Sequence, residues 1–247
     1  DNLPTNALEG PVELSRSISA DSFIVLPDSI EQASGLHKAS NSLFISTDQA
    51  ELFEIDDHGN LAADVVDLLG GPLLFKQGSL EGIQFEGKSL LGIGELGAVA
   101  RWEQQENNWE RLEDYALDSA IADFEFTGLT LHQEQLWATT DDGLLLLNLS
   151  DASQHRPDLS GFEKANRDQS ELLLSGLASD GDILYLLTEN YASLIAYKPE
   201  SEQVLEVIGL DAIEAADIAI EKGRAWVSVE HNYFDPRPPI HVYSLED

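Results

Sequence analysis

Along this chain, branched apolar and aromatic residues gather in runs of four to seven positions, separated by polar or glycine-bearing breaks. Periodicity within the runs is near 2 and helical spacing is not sustained, so they predict β-strands. The runs form a repeat. Five segments open with a small or acidic residue, then Gly or once Asp, then a branched apolar residue. These are Ser34-Gly35-Leu36, Glu81-Gly82-Ile83, Thr127-Gly128-Leu129, Ser175-Gly176-Leu177 and Ala216-Asp217-Ile218. Their central residues are spaced by 47, 46, 48 and 41 positions. A second run follows each start: Leu43 to Thr47, Leu90 to Gly94, Leu136 to Thr140, Leu184 to Thr188 and Trp226 to Val229. A third follows: Glu51 to Ile55, Ala98 to Trp102, Leu144 to Leu149, Ser193 to Tyr197 and Ile240 to Leu245. Turn-forming stretches such as Asp57-His58-Gly59-Asn60 and Asp180-Gly181-Asp182 divide them. The best helix candidates, Asp211 to Ala216 and Asp118 to Phe124, are short.

A period of about 40–50 residues with three or four strands per unit is the pattern of a propeller blade. Residues 1–247 therefore read as a single all-β domain, a five-bladed β-propeller with repeats starting near 34, 81, 127, 175 and 216. The last repeat stops at Asp247 without an outer strand, and a spare strand, Ser22 to Leu26, precedes the first repeat. If the N-terminal strand completes the last blade, the ring closes and an exposed edge is covered. The alternative, a six-bladed ring, needs residues the chain does not have. Residues 1–16 are left as an N-terminal arm, and Gln105 to Ala122 and Asp151 to Leu172 as two longer outer connections.

The second run of every repeat is followed by a carboxylate: Asp48, Glu95, Asp141, Glu189 and Glu230, each 13 residues after the central Gly or Asp. In a propeller the inner strand leaves the face on which it starts and the second strand returns to it. The five acids thus belong around one mouth of the central channel, with Glu81 as a sixth at an inner-strand start. Crowded like charges raise one another's pKa unless something compensates. The acids can splay into water, accept hydrogen bonds that brace the turns between blades, or bind a cation. Hard oxygen donors and a chain without Cys favour Ca²⁺, or Mg²⁺, over softer metals. The candidate metal ligands are accordingly Asp48, Glu81, Glu95, Asp141, Glu189 and Glu230.

Charge sharpens this picture. The chain has 46 acidic and 13 basic residues and a formal net charge of −33. Such a surface repels nucleic acid and anionic membrane, and suits cationic partners or salt adaptation. No segment has the roughly 20 apolar residues needed to cross a bilayer as a helix. The sequence contains no Met, even at position 1. The expectation is a processed chain, its signal peptide or N-terminal anchor removed, placed in the periplasm or outside the cell and monomeric.

Catalytic signals are sparse. A hydrolase needs a nucleophile, or a metal-activated water with a base beside it. No Ser lies in a G-x-S-x-G elbow, and there is neither a P-loop nor a dinucleotide fingerprint. His37 and His132 are read as occupying matched places on the inner strands of repeats one and three. His231, between Glu230 and Asn232 at the mouth, is the general-base candidate, weighed against simple loop packing. Trp102, Trp109, Trp137, Trp226, Tyr185 and Tyr191 read as packing between blades. The stretch Phe234-Asp235-Pro236-Arg237-Pro238-Pro239 lies on the acidic face, as a pocket rim or a stiff connector.

These motifs, in this order, resemble the SdiA-regulated family of bacterial β-propellers. The resemblance is carried by Ala33-Ser34-Gly35-Leu36, Ser42-Leu43-Phe44-Ile45-Ser46-Thr47-Asp48, Leu80-Glu81-Gly82-Ile83, Leu174-Ser175-Gly176-Leu177 and Val227-Ser228-Val229-Glu230-His231-Asn232. It implies a propeller exported to, or tethered facing, the bacterial periplasm. More distantly the repeats are similar to phytase-like esterase propellers, whose members often bind calcium. The family's acid before Gly survives here as Glu81, with Thr127 and Ala216 elsewhere, and Asp217 stands in place of the last Gly. The expected function is a binding module that holds a divalent cation at the acidic mouth and presents that face to a small ligand or a protein. The alternatives are a metal-assisted ester, lactone or phosphate hydrolase and a purely structural propeller.

Overall fold

The computed structural model describes residues 16–246, apart from 32, 48, 65, 69–79, 95–96, 98, 106–107, 116, 163–171, 190, 213 and 231–237. Five antiparallel sheets stand around an axis, with their inner strands packed in sequence order and the fifth against the first. The inner strands are Ala33–Ala39, Leu80–Glu86, Phe126–His132, Leu174–Asp180 and Ala215–Glu221. Each turns back into a second strand: Ser42–Thr47, Ser89–Gly94, Gln135–Thr140, Ile183–Thr188 and Arg224–Val229. Two-residue loops make these hairpins, and each contains left-handed backbone, at Ser40, Gly87, Gln133, Gly181 and Lys222 among others. Such loops match the twist of antiparallel strands.

The ring closes as the leftover strand predicts. Ser22–Ile24 pairs antiparallel with Ile240–Ser244 and supplies the outer strand of the fifth blade. Three features differ from the sequence reading. The stretches read as outer connections contain outer strands, Asn108–Tyr115 in blade two and Ser153–His155 in blade three. The two short helix candidates are turns, a bend and the start of an inner strand. Among the described residues, helix occurs as the 3-10 turn Pro199–Ser201. The third difference is Arg16–Ser17, which adds a parallel fifth strand outside Gln203–Gly209 of blade four. Arg16 secures it by donating to Glu206 at 3.1 Å and to the Leu245 carbonyl at 2.6 Å. Unpaired strand edges invite pairing, and the arm covers this one.

Packing follows the repeat. The core falls into five apolar clusters, one at each junction between neighbouring blades. Trp102, Trp137 and Trp226 are buried in three of them, as expected for packing between blades. Burying side chains of this size is the main source of stability in such a sheet stack, at about 25 cal/mol per Å² of apolar surface.

Candidate functional site

The opening motif of each repeat has a structural cause. Every inner strand carries a bulge at its start. In blade two Leu80 pairs with Gly94 and Gly82 with Ile93, so Glu81 is the extra residue. Thr127 and Ser175 are skipped in the same way, and the irregularity in blades one and five spans Ser34-Gly35 and Ala216-Asp217. A bulge bends the strand and aims one residue out of the ladder. The next residue is the point of closest approach to the neighbouring blade. A Cβ at Gly82 would lie 2.5 Å from the Leu129 nitrogen, and one at Gly128 3.0 Å from the Gly176 Cα. Backbone stands there, so no side chain fits.

Asp217 breaks this pattern, and its carboxyl is buried between the strand starts of blades four and one. It is 2 % exposed. The Leu36 amide of blade one donates to Oδ2 at 2.7 Å, while Oδ1 lies against Gly176 of blade four, where a Cβ would meet it at 2.5 Å. Oδ1 has no hydrogen-bond partner. Burial drives the Asp217 pKa well above the ordinary carboxylate range. The amides of Leu36, Ile218 and Leu177 pull the other way, and the nearby charge of Glu81 adds to the rise. Sequence reasoning saw Asp217 as a departure from Gly but missed that its side chain links the two neighbouring blades. The departure itself was the signal.

Hydroxyls on the inner and second strands tie this end together. Ser46 Oγ accepts from the Gly35 amide and donates to the Leu80 carbonyl of the next blade, both at 3.0 Å. Ser228 Oγ accepts from the Asp217 amide at 3.0 Å. Thr127 Oγ1 donates to the Leu174 carbonyl at 2.7 Å, bridging blades three and four.

The spacing of 13 has a backbone basis. The amides of Asp141, Glu189 and Glu230 donate to the carbonyls of Glu125, Leu173 and Glu214, the last bond of each inner hairpin, at 3.3, 3.1 and 2.8 Å. The three acids thus occupy equivalent places, just past the second strand, on the face where Glu81 and Asp217 begin their strands. Asp141 and Glu230 are exposed and Glu189 is half-buried. Asp48, Glu95, the base candidate His231 and residues 234–237 of the proline-rich loop lie outside the described residues. Among the described residues, no three of His, Cys, Asp or Glu gather closely enough to hold one metal ion.

A cavity of about 100 Å³ runs along the axis toward the opposite face, lined by all five inner strands. His37 lines it, but His132 does not. The two are offset by two positions in their repeats, so the matched places expected for them do not exist. Burial holds the His37 pKa down to about 4 against a counter-pull from Glu221, so the ring is neutral at neutral pH. His37 packs on Phe85, with ring centroids 5.2 Å apart.

Comparison with solved structures agrees on the architecture. The crystal structure of Myxococcus xanthus glutaminyl cyclase superposes with a TM-score of 0.66 and 16% identity, over 96% of this chain and 100% of that one. The WD40 repeats of RRP9 superpose with a TM-score of 0.54 and 11% identity, over 95% of this chain and 100% of theirs. A nidogen/laminin complex gives a TM-score of 0.51 at 13% identity, over 81% of this chain and 72% of that one. Identities this low carry the fold alone. This chain is a β-propeller. No family model matches it, and no curated protein matches it in sequence. The fold itself hosts both an enzyme and repeat domains, so function has to be argued from the site.

Proposed function

We propose that this propeller is an exported bacterial binding module whose acidic face engages a cationic ligand or protein, with a divalent cation as its simplest occupant. The observation that carries the reading is the backbone registration of Asp141, Glu189 and Glu230. Their amides close three successive inner hairpins in the same way, so three carboxylates are presented at one level of one face. Glu81 adds negative charge at the start of an inner strand on that face, and its nearness contributes to the raised pKa of the buried Asp217. A cation there lowers the repulsion among the acids, and the net charge of −33 draws cations in from a distance. Of the two cations, Ca²⁺ suits flexible carboxylate ligands better than Mg²⁺, which demands near-octahedral geometry. Export and the SdiA-regulated resemblance rest on the sequence motifs and belong to this proposal.

The test is calorimetric titration of Ca²⁺, Mg²⁺ and a lysine-rich peptide into the wild type and the double variant Glu189→Gln/Glu230→Gln. The account expects saturable binding that the double variant weakens at least tenfold. Equal affinity in both proteins would rule it out.

A further inference from the structure

On the opposite face, blades three and four border a second, open cavity of about 360 Å³ that the acidic face does not reach. Its walls come from the end of the third inner strand, the outer strands of blade three and the 3-10 turn of blade four. Among the described residues, the lining includes the carboxylates Asp151, Glu200 and Glu202 and no Lys or Arg. Polar atoms without protein partners sit in the same walls. They are His132 Nε2, the Trp137 indole nitrogen and His155 Nδ1. His132 is 2 % exposed and Trp137 3 %. Buried polar atoms of this kind are rare in folded proteins and point to a missing partner.

The geometry around His132 says what kind of partner. Its Nδ1 is 2.8 Å from Ser179 Oγ. In the tautomer where Nδ1 donates to that hydroxyl, Nε2 presents a lone pair. Glu200 Oε1 lies 3.9 Å from Nε2, too far for a hydrogen bond between them. Burial lowers the His132 pKa, outweighing the pull of Glu200 and Asp182, so the ring is neutral near pH 7 and cannot answer Glu200 with a charge of its own. Two acceptors about 4 Å apart can each take one N–H from a single cationic nitrogen group placed between them. The Trp137 ring, 4.9 Å from the His155 ring, adds an aromatic wall suited to a cation or a planar guanidinium.

We propose that this cavity is a binding site for an organic cation, a guanidinium or primary ammonium group bridging His132 Nε2 and Glu200. It stands independently of the acidic face, which shares none of these residues. The same chemistry comes from an arginine side chain of a peptide or from a free polyamine. Calorimetric titration of the intact protein with L-arginine amide and, separately, with spermidine separates the two sources. Saturable binding is expected, tighter for L-arginine amide if the natural ligand is a peptide and tighter for spermidine if it is a polyamine. Glu200→Gln is expected to weaken binding at least tenfold without changing the unfolding temperature, since that side chain is 44% exposed. His132→Gln is expected to weaken it similarly. Glu110→Gln, an exposed acid on blade two, removes the same charge elsewhere and is expected to change affinity less than twofold. No saturable binding of either probe would overturn the proposal. So would a loss in Glu110→Gln equal to that in Glu200→Gln, because the cation would then be responding to net charge alone.

Discussion

At one end of the axis the inner strands approach so closely that four of the five blades enter on glycine and the fifth fills the remaining space with Asp217. Two or three residues further along, the same strands stand apart around a cavity of about 100 Å³. One repeat thus builds a tight end and an open end, and a bulge marks the tight end of every inner strand. The hydroxyls of Ser46 and Thr127 bridge neighbouring blades there, and that of Ser228 holds Asp217 within its own blade. Charge follows the same division in part. The tight end carries Asp141, Glu189 and Glu230 in register, whereas Asp151, Glu200 and Glu202 on the far face border a side cavity between two blades.

The comparison breaks most severely at the glycines. Gly82→Ala puts a methyl where the Leu129 nitrogen stands, and overpacking against backbone that cannot retreat is expected to cost about 3 kcal/mol in urea unfolding. Gly87→Ala is its control, because a Cβ there meets nothing within 4 Å. It should cost only the strain of left-handed backbone, about 1 kcal/mol.

His37 on the open end gives an effect of nearly the same size through pH. Its folded pKa of about 4 lies below the ordinary 6.5, so the unfolded chain takes up the proton first. The contribution is complete above about pH 6.5 and is lost as pH falls toward 4, by about 3 kcal/mol at most. Unfolding followed across that range should be flatter in His37→Gln than in the wild type.

Asp217 at the tight end works in the opposite sense. Its folded pKa is raised, so its contribution is complete below about 3.8, the ordinary value, and is lost as pH rises through the folded pKa. Asp217→Asn keeps an acceptor for the Leu36 amide and removes the buried charge. It should gain roughly 1 kcal/mol at pH 7 relative to its standing at pH 4, measured by urea unfolding at both values. Ser46→Ala, which leaves the Gly35 amide and Leu80 carbonyl without their bridge, should cost about 1 kcal/mol at any pH, by the same assay.

Much of this architecture was legible because the repeat is written in spacing. Five starts, five second strands and one spare N-terminal strand give the blade count and the closure directly. The outer strands Asn108–Tyr115 and Ser153–His155 were not legible, because strands far from the axis are polar and lose their alternation. The parallel addition of Arg16–Ser17 depends on a partner more than 190 positions away, which no local pattern encodes. For the site, the spacing of 13 located Asp141, Glu189 and Glu230 correctly on one face, since a hairpin register is a local property. The cavity beside His132 escaped notice because its residues come from two blades and share no motif. Reading His37 and His132 as equivalent failed on a register difference of two, enough to carry one to the axis and the other to the side cavity.

The measurement that tests the acidic face most directly is thermal unfolding of the chelated protein with and without millimolar Ca²⁺. A cation at about 100 times its dissociation constant adds roughly 2.7 kcal/mol, which is a rise of roughly 5–10 °C for a chain of this size. The account predicts such a rise with Ca²⁺ and its loss in Glu189→Gln/Glu230→Gln. An equal rise from NaCl at matched ionic strength, or a full rise in the double variant, would contradict it.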